Sequence, residues 1–435
     1  MVEKLIFGLG KTGFSCASYF ERSGVAYSVV DDNPKPQQLS ALRKLNPAVR
    51  FSTVDETLVM SADEIVVSPG VPLSLPLLQQ AKASGIAITG DVAMFSQLAQ
   101  APIAAITGSN GKSTVTALLG YLAAAQQSGV KVGGNLGTPC LDLLSDDASL
   151  YVLEVSSYQL ELATSLPAAV SVVLNLSPDH EDRYDSNTDY YATKMNVYHS
   201  CKVALVNRDV NVPALNTRNV ISFGGGGPER DIDFGVKDEF IVRGDERLIA
   251  LSELPIDGWH NMLNCMAALA LGESLNLDMK RMVSDLSGFV GLQHRCERVG
   301  SVDGVQIYND SKATNVASTL AAINSFGEVT KNIVLILGGE GKNADFSLLR
   351  EVAEKYVSHV VIFGKDQRAI GQDLAGACPI TMSSSLDEAL ELALNHAQSG
   401  NVLLFSPACA SFDMFENYSV RGDAFKSLVM ELIDD

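Results

Sequence analysis

Twice in this chain an apolar, β-type run breaks into glycine and restarts with helical periodicity. The first is "KLIFGLGKTGF" at the N-terminus and the second is "IAAITGSNGKSTVTALLG", one hundred residues on. A strand that turns through glycine into a helix is half of a βαβ unit, so it commits the chain to parallel sheets flanked by helices. The same alternation runs through all 435 residues in three segments. Residues 1–90 carry strand patterns at "KLIFG", "AYSVVD", "EIVVSPG" and "IAITG", with helices near 14–23 and 74–84. Residues 91–291 carry "IAAITG", "YVLEVS", "VSVVLNL" and "VALVN", a hairpin turning at Gly244-Asp245, and the helix "NMLNCMAALALGESL". Residues 292–435 carry "VQIYND", "IVLILGG", "VVIFG" and "VLLFSP". The expectation is an α/β protein of three domains with these boundaries, each long enough for its own core.

Charge narrows the function. Against 32 Lys and Arg stand 51 Asp and Glu, a net −19, with no basic stripe of the kind that tracks nucleic acid. An anionic ligand must then be held by local devices: backbone N–H groups, single lysines, a cation. The seven scattered cysteines are odd in number and form no C-x-x-C, which predicts a reduced compartment and no zinc site. The N-terminus runs straight into a strand pattern and no apolar run reaches the ~20 residues a membrane helix needs. The expectation is a cytoplasmic protein without nucleic-acid or membrane partners.

"GLGKTG" places glycines at 8, 10 and 13 directly after a strand, and Asp31 ends the next strand, eighteen residues beyond Gly13. Glycine lets backbone approach a diphosphate, and an acid at that point accepts from a hydroxyl. A dinucleotide site, another diphosphate ligand and a plain tight turn all fit this loop. The second loop is more specific. "ITGSNGKST" lacks the first glycine of G-x-x-x-x-G-K-[ST], since Ile106 stands there and Gly108 opens the turn. Its strand–loop–helix setting still predicts a nucleoside-triphosphate site, with Lys112 on the terminal phosphates and Ser113 on Mg²⁺. Glu154 lies among apolar residues in "YVLEVS", where a buried carboxylate needs a donor or a metal. His180 follows the next apolar strand, at the sheet edge where such folds bind ligands.

Taken in order, "TGSNGKST", "GGNLG", "LEVSSYQLE", "PDHEDRY", "WHNMLN", "QHRCE", "YNDSKATN", "LGGEGKNADF" and "SPACASFDMFENYSVRG" resemble the Mur ligases over nearly the whole chain. The resemblance implies a Rossmann-like N-terminal domain, a central P-loop ATPase-like domain with a mixed sheet and a Rossmann-like C-terminal domain. It implies ATP-dependent addition of D-glutamate to UDP-N-acetylmuramoyl-L-alanine through an acyl phosphate, in cytoplasmic peptidoglycan precursor synthesis, by a monomer. Gly108, Asn110, Gly111, Lys112, Ser113, Thr114, Asn261, Asn264, Arg295 and Asp310 would bind ATP. Ser113 and Glu154 would hold one Mg²⁺; His180 and a CO₂-derived carbamate on Lys194 would hold a second. Lys11, Thr12, Asp31, Gly70, Asn135 and His180 would bind the UDP substrate. Thr314, Lys342, Ser411 and Tyr418 would bind D-glutamate, with Lys312 beside the reacting phosphate. Lys112, His180, Lys194 and Lys312 would be catalytic. One departure stands out: Asp32 and Asn33 follow Asp31 where the family pattern has Thr and Arg, so Lys35 or Lys11 would have to supply the missing cation. The rival readings are a sibling ligase for L-alanine or a diamino acid, a folylpolyglutamate synthase, and a nicotinamide-dependent oxidoreductase. The last explains only the first loop.

Overall fold

The computed structural model describes residues 4–180, 183–213, 215, 219–256, 258–327, 331–342 and 344–434. Glu181 and Asp182 of "PDHEDRY" and Asn343 of "GEGKNADF" lie outside the described residues. The chain forms two compact units, residues 1–252 with 264–286 and residues 253–263 with 287–435.

The first unit holds three sheets. Strands β1 (Lys4–Phe7), β2 (Tyr27–Asp31), β3 (Arg50–Thr53), β4 (Glu64–Val67) and β5 (Ala87–Thr89) pair in the order β3-β2-β1-β4-β5, all parallel. The order reverses at β1 and β4, so the loop after β1 and the loop after β4 border one crevice. That loop after β1 is "GLGKTG". Gly13 sits so close to the carbonyl of Gly8 that a Cβ would overlap it, which is why the helix Lys11–Ser23 can start tight against the strand.

The second sheet contains β6 (Ile103–Thr107), β7 (Val130–Gly134), β8 (Leu150–Glu154), β9 (Val170–Val173), β10 (Val203–Asn207) and β11 (Val220–Phe223), ordered β11-β10-β9-β6-β8-β7. The central strands are apolar at nearly every position because helices cover both faces; every residue of β6, β8 and β9 is buried. Cys16 and Phe20 of the Lys11–Ser23 helix join Phe95, Leu141, Tyr151 and Leu153 in one continuous core, so the first two sheets share their packing. The third sheet is an antiparallel meander of β12 (Phe234–Lys237), β13 (Phe240–Arg243) and β14 (Glu246–Ala250), and the last turn is the expected Gly244-Asp245.

The second unit is built on β15 (Glu297–Val302), β16 (Val305–Asn309), β17 (Ile333–Gly338), β18 (Val357–Phe363), β19 (Ile380–Met382) and β20 (Val402–Phe405), ordered β15-β16-β20-β17-β18-β19. Among the described strands of this sheet only the β15–β16 pair is antiparallel. This corrects the expected placement of the mixed sheet. The central six strands are purely parallel, with their antiparallel neighbours in a separate sheet, and the mixed sheet is the C-terminal one. The physical reason is connection length. β15 and β16 are joined by a tight turn at Asp303 and Gly304, which permits only antiparallel pairing.

Candidate active site

Three loops leave the carboxyl ends of β6, β8 and β9 side by side. The first, Gly108–Gly111, runs into the helix Lys112–Ala124. Gly111 caps that helix at φ 80°, and a Cβ there would lie 2.5 Å from Asn264 Oδ1, so glycine is required both by backbone and by space. The cap residue carries no side chain and the helix N-terminus follows the loop directly, the setting in which helices receive phosphate.

The loop is stitched to its neighbours by backbone and amide groups. The Asn110 N–H donates to Asn175 Oδ1 at 2.8 Å, and Asn175 Nδ2 donates back to the Asn110 carbonyl at 3.0 Å. Ser109 Oγ donates to the Ser177 carbonyl at 3.0 Å and accepts from the Ser177 N–H at 3.0 Å. These bonds fix the phosphate loop against the segment that carries His180.

Both candidate lysines converge on one carbonyl. Lys112 Nζ donates to the Gly108 carbonyl at 2.8 Å and to that of Ser109 at 2.9 Å, and Lys194 Nζ donates to the Gly108 carbonyl at 2.9 Å. Lys194 is 1% exposed and its Nζ lies 4.6 Å from the centre of the Tyr190 ring. Burial pushes its pKa well below the usual lysine value, and the Lys112 charge adds to the depression; Asp179 and Glu154 oppose it. A buried amine so placed has access to its neutral, nucleophilic form.

Glu154 ends β8 at 3% exposure, and both its oxygens are engaged. Ser113 Oγ donates to Oε2 at 2.5 Å and Asn135 Nδ2 donates to Oε1 at 2.5 Å. A carboxylate and a hydroxyl at a helix N-terminus are hard oxygen donors of the kind Mg²⁺ takes, with the rest of its octahedron filled by phosphate and water. Among the described residues no cluster of three or more His, Cys, Asp or Glu could hold a metal. A cation here would draw on ligand oxygens, as Mg²⁺ at nucleotide sites does. His180 has φ 57° and its Nδ1 lies 2.7 Å from Tyr158 Oη; its ring meets that of Tyr190 edge-on at 5.7 Å. Tyr190 Oη is in turn 3.3 Å from Ser109 Oγ. Thus Gly108, Asn110, Gly111, Lys112, Ser113, Thr114, Asn135, Glu154, His180, Lys194 and Asn264 gather at one edge.

The first glycine loop forms its own locus. Asp31 Oδ2 accepts the Leu9 N–H at 2.5 Å and Oδ1 accepts the Asn33 N–H at 2.9 Å. Asp31 therefore shapes the loop as well as ending the strand. Lys11 stands exposed at the first helical turn beside Thr12, and no atom lies within 4 Å of a Cβ built on Gly70. Asp32 and Asn33 are exposed, and Asn33 Oδ1 accepts the Lys35 N–H.

In the second unit the candidates gather on the loops after β16, β17 and β20. Asp310 is buried; its Oδ1 accepts the Cys296 N–H at 3.2 Å and its Oδ2 the Ser406 hydroxyl at 2.8 Å. Burial pushes its carboxyl up to about 6. Lys312 Nζ lies 3.8 Å from the centre of the Tyr418 ring, and Lys342, at φ 51°, lies 5.5 Å from that of Phe412. Ser411 is buried and Thr314 exposed. Arg295 falls between β15 and its preceding turn, and Asn261 falls in the first turn of the helix Trp259–Ser274, whose residues up to Leu263 belong to this unit and whose later residues belong to the first.

Reading the sequence for a site missed four residues that build it. Asn175 holds the phosphate loop, Tyr158 and Tyr190 flank His180, and the fully buried Arg421 donates from Nε and Nη2 to the hydroxyl and carbonyl of Ser311, between Asp310 and Lys312. An arginine five residues into "ENYSVRG" carries no local signal of burial.

Three family models cover the chain: the MurD-like N-terminal domain over residues 2–90, the Mur ligase middle domain over 106–272 and the Mur ligase glutamate ligase domain over 294–409. The UDP-N-acetylmuramoylalanine--D-glutamate ligase of Hahella chejuensis is 45% identical over 437 residues, 98% of each chain. The chain belongs to the Mur ligase family. The enzyme of the same name from Pseudomonas aeruginosa is 44% identical over 99% of this chain and 98% of its own. Among solved structures, the UDP-N-acetylmuramate-alanine ligase MurC of Thermotoga maritima matches with a TM-score of 0.61 at 16% identity, over 99% of this chain and 100% of the other. MurF from Acinetobacter baumannii matches with a TM-score of 0.60 at 17% identity, over 100% and 92%. At that identity these two show a shared Mur ligase fold and nothing finer.

Proposed function

We propose that this Mur ligase joins D-glutamate to the carboxylate of UDP-N-acetylmuramoyl-L-alanine, consuming ATP and releasing ADP and phosphate, in peptidoglycan precursor synthesis in the cytoplasm. The observation that carries the reading is the meeting of Lys112, Lys194, Ser113 and Glu154 on one phosphate-type loop. A carboxylate has no leaving group at neutral pH, and phosphorylation supplies one. The substrate oxygen attacks the γ-phosphorus, ADP leaves, the amine of D-glutamate attacks the acyl carbon, and phosphate departs. The helix N-terminus and Lys112 receive the phosphates. Ser113 and Glu154 would hold one Mg²⁺, and His180 with a carbamate on Lys194 would hold another. Mg²⁺ there supplies charge neutralisation between two anions that otherwise repel. Lys194 would form the carbamate by attack of its neutral amine on CO₂ with loss of a proton.

In the same reading Asn110, Thr114, Asn261, Asn264, Arg295 and Asp310 orient ATP. Lys11, Thr12, Asp31, Gly70 and Asn135 line the uridine diphosphate path, Lys312 attends the phosphate in flight, and Thr314, Lys342, Ser411 and Tyr418 receive D-glutamate. The domain divisions fall at 90/91 and 291/292, and the working form is a monomer. No described helix is long and apolar enough to cross a membrane. The test is a phosphate-release assay with ATP, Mg²⁺ and UDP-N-acetylmuramoyl-L-alanine, offering D-glutamate, L-alanine or a diamino acid in turn. Release with D-glutamate alone is expected; release with another amino acid instead, or with none, refutes the assignment.

A further inference from the structure

We propose that Tyr158 is a positioning residue for His180, holding the imidazole so that Nδ1–H donates to the phenol oxygen and Nε2 is the nitrogen that meets a divalent cation. The inference rests on the reading of His180 as a cation ligand. Tyr158 is the second residue of the short helix Ser157–Leu160, which follows β8 directly and is closed by a capping box. In that box Ser156 Oγ accepts the Gln159 N–H, and Gln159 Oε1 accepts the Ser156 N–H. The helix is also anchored from below, because Gln159 Nε2 donates to the buried Asp91 at 2.9 Å. The tyrosine thus stands on a rigid base whose preceding residues include Glu154.

Its ring is clamped on two further sides. Arg183 lies 4.7 Å from the ring centre and is itself fixed by a two-point ion pair with Glu161 at 2.7 and 3.1 Å. Tyr184 stacks on it at 6.2 Å and 30°. From this clamped ring the hydroxyl reaches His180 Nδ1 at 2.7 Å, while Tyr190 closes the imidazole from another side. His180 sits in a loop with a left-handed backbone, and Asp179 Oδ2 lies 3.9 Å from its Nε2. A metal-ligating histidine needs its second nitrogen to carry the proton and donate it, which sets the tautomer and orients the lone pair. The phenol oxygen is the acceptor that does this here.

The test uses the full-length enzyme labelled with ¹⁵N-histidine, with His180→Ala assigning the His180 signals among the six histidines. Mn²⁺ binding is measured by EPR in the presence of a non-hydrolysable ATP analogue. The expected result is an Nδ1–H tautomer for His180 in the unsubstituted protein. In Tyr158→Phe, which keeps the ring over Arg183 and Tyr184, the tautomers should mix and the affinity of one Mn²⁺ fall by about tenfold. An Nε2–H tautomer in the unsubstituted protein overturns the inference, as does a Tyr158→Phe variant with unchanged tautomer and affinity. The two readings separate through His180→Ala. If that variant binds Mn²⁺ as well as the parent, His180 is not a ligand at all; if it binds weakly while Tyr158→Phe does not, only the role of Tyr158 fails.

Discussion

Asp310→Asn should stabilise this protein at neutral pH while impairing it as an enzyme. Asp310 is buried, and its carboxyl is pushed from 3.8 to about 6, burial being the leading cause. A carboxylate whose folded pKa is raised costs stability above that pKa. The cost is full above about pH 6, shrinks as pH falls, and is gone below 3.8. That rise corresponds to about 3 kcal/mol at pH 7.5, about 1.5 kcal/mol at pH 5 and about 0.5 kcal/mol at pH 4. Asparagine carries no charge to desolvate and still offers an oxygen to the Cys296 N–H, so it recovers most of this. Chemical denaturation of the full chain should show Asp310→Asn more stable than the parent by about 2–3 kcal/mol at pH 7.5, with the gap closing toward pH 4. ATP turnover should fall, since the charge at the edge of the β16 loop would be lost. A gap that is constant with pH, or widens as pH falls, would show that Asp310 is not held ionised against its burial.

Three further outcomes follow from the central edge. Ser113→Ala removes a hydroxyl at 2.5 Å from Glu154, so kcat/KM should fall on the order of 10²-fold and the Mg²⁺ needed for half-maximal rate should rise; an unchanged Mg²⁺ titration contradicts the pairing. Lys194→Ala should abolish turnover and regain part of it with acetate or another short carboxylic acid, whereas a variant with full activity rules out the carbamate. Gly111→Ala places a Cβ at φ 80° and 2.5 Å from Asn264 Oδ1. It should cost about 1–2 kcal/mol by backbone conformation alone and raise the KM for ATP, which thermal melting and initial rates would check.

Every central strand was legible in the sequence, and most of the edge strands were not. β1, β2, β6, β8, β9, β16, β17 and β20 announce themselves as apolar runs because both faces are covered. The strands that no apolar run announces are β3, β7, β11, β12, β15 and β19, and each lies at the edge of its sheet. "RFST" is exposed at Arg50 and Thr53, and "ERVGSV" buries none of its six residues. An edge strand is held by ladder hydrogen bonds to a single neighbour, and those leave no mark on side-chain polarity. The misplaced mixed sheet has the same origin, since β15, the antiparallel strand, is one of these edges.

The site divides along a similar line. Some groups proposed to touch a ligand lie where a glycine or a charge is out of place, and Gly108, Lys112 and Glu154 each conflict with their local context in a way a reader can detect. Groups that hold those residues in place do not. Asn175 earns no notice in "VVLNLSPD", yet its side chain makes two hydrogen bonds to the backbone of Asn110. Tyr158 reads as an ordinary aromatic after a strand, yet it fixes the environment of His180. Lys194 is the instructive middle case. A lysine in "YYATKMNVY" is ordinary by every local measure, and only the fold turns it inward, to 1% exposure and onto the Gly108 carbonyl that Lys112 also uses. Its depressed pKa is a property of burial and of the Lys112 charge together. One of those causes lies eighty-two residues away in the chain. The other exists only once the sheet has formed. Chemistry that depends on such a group cannot be read from its neighbours in sequence, because nothing in those neighbours produces it.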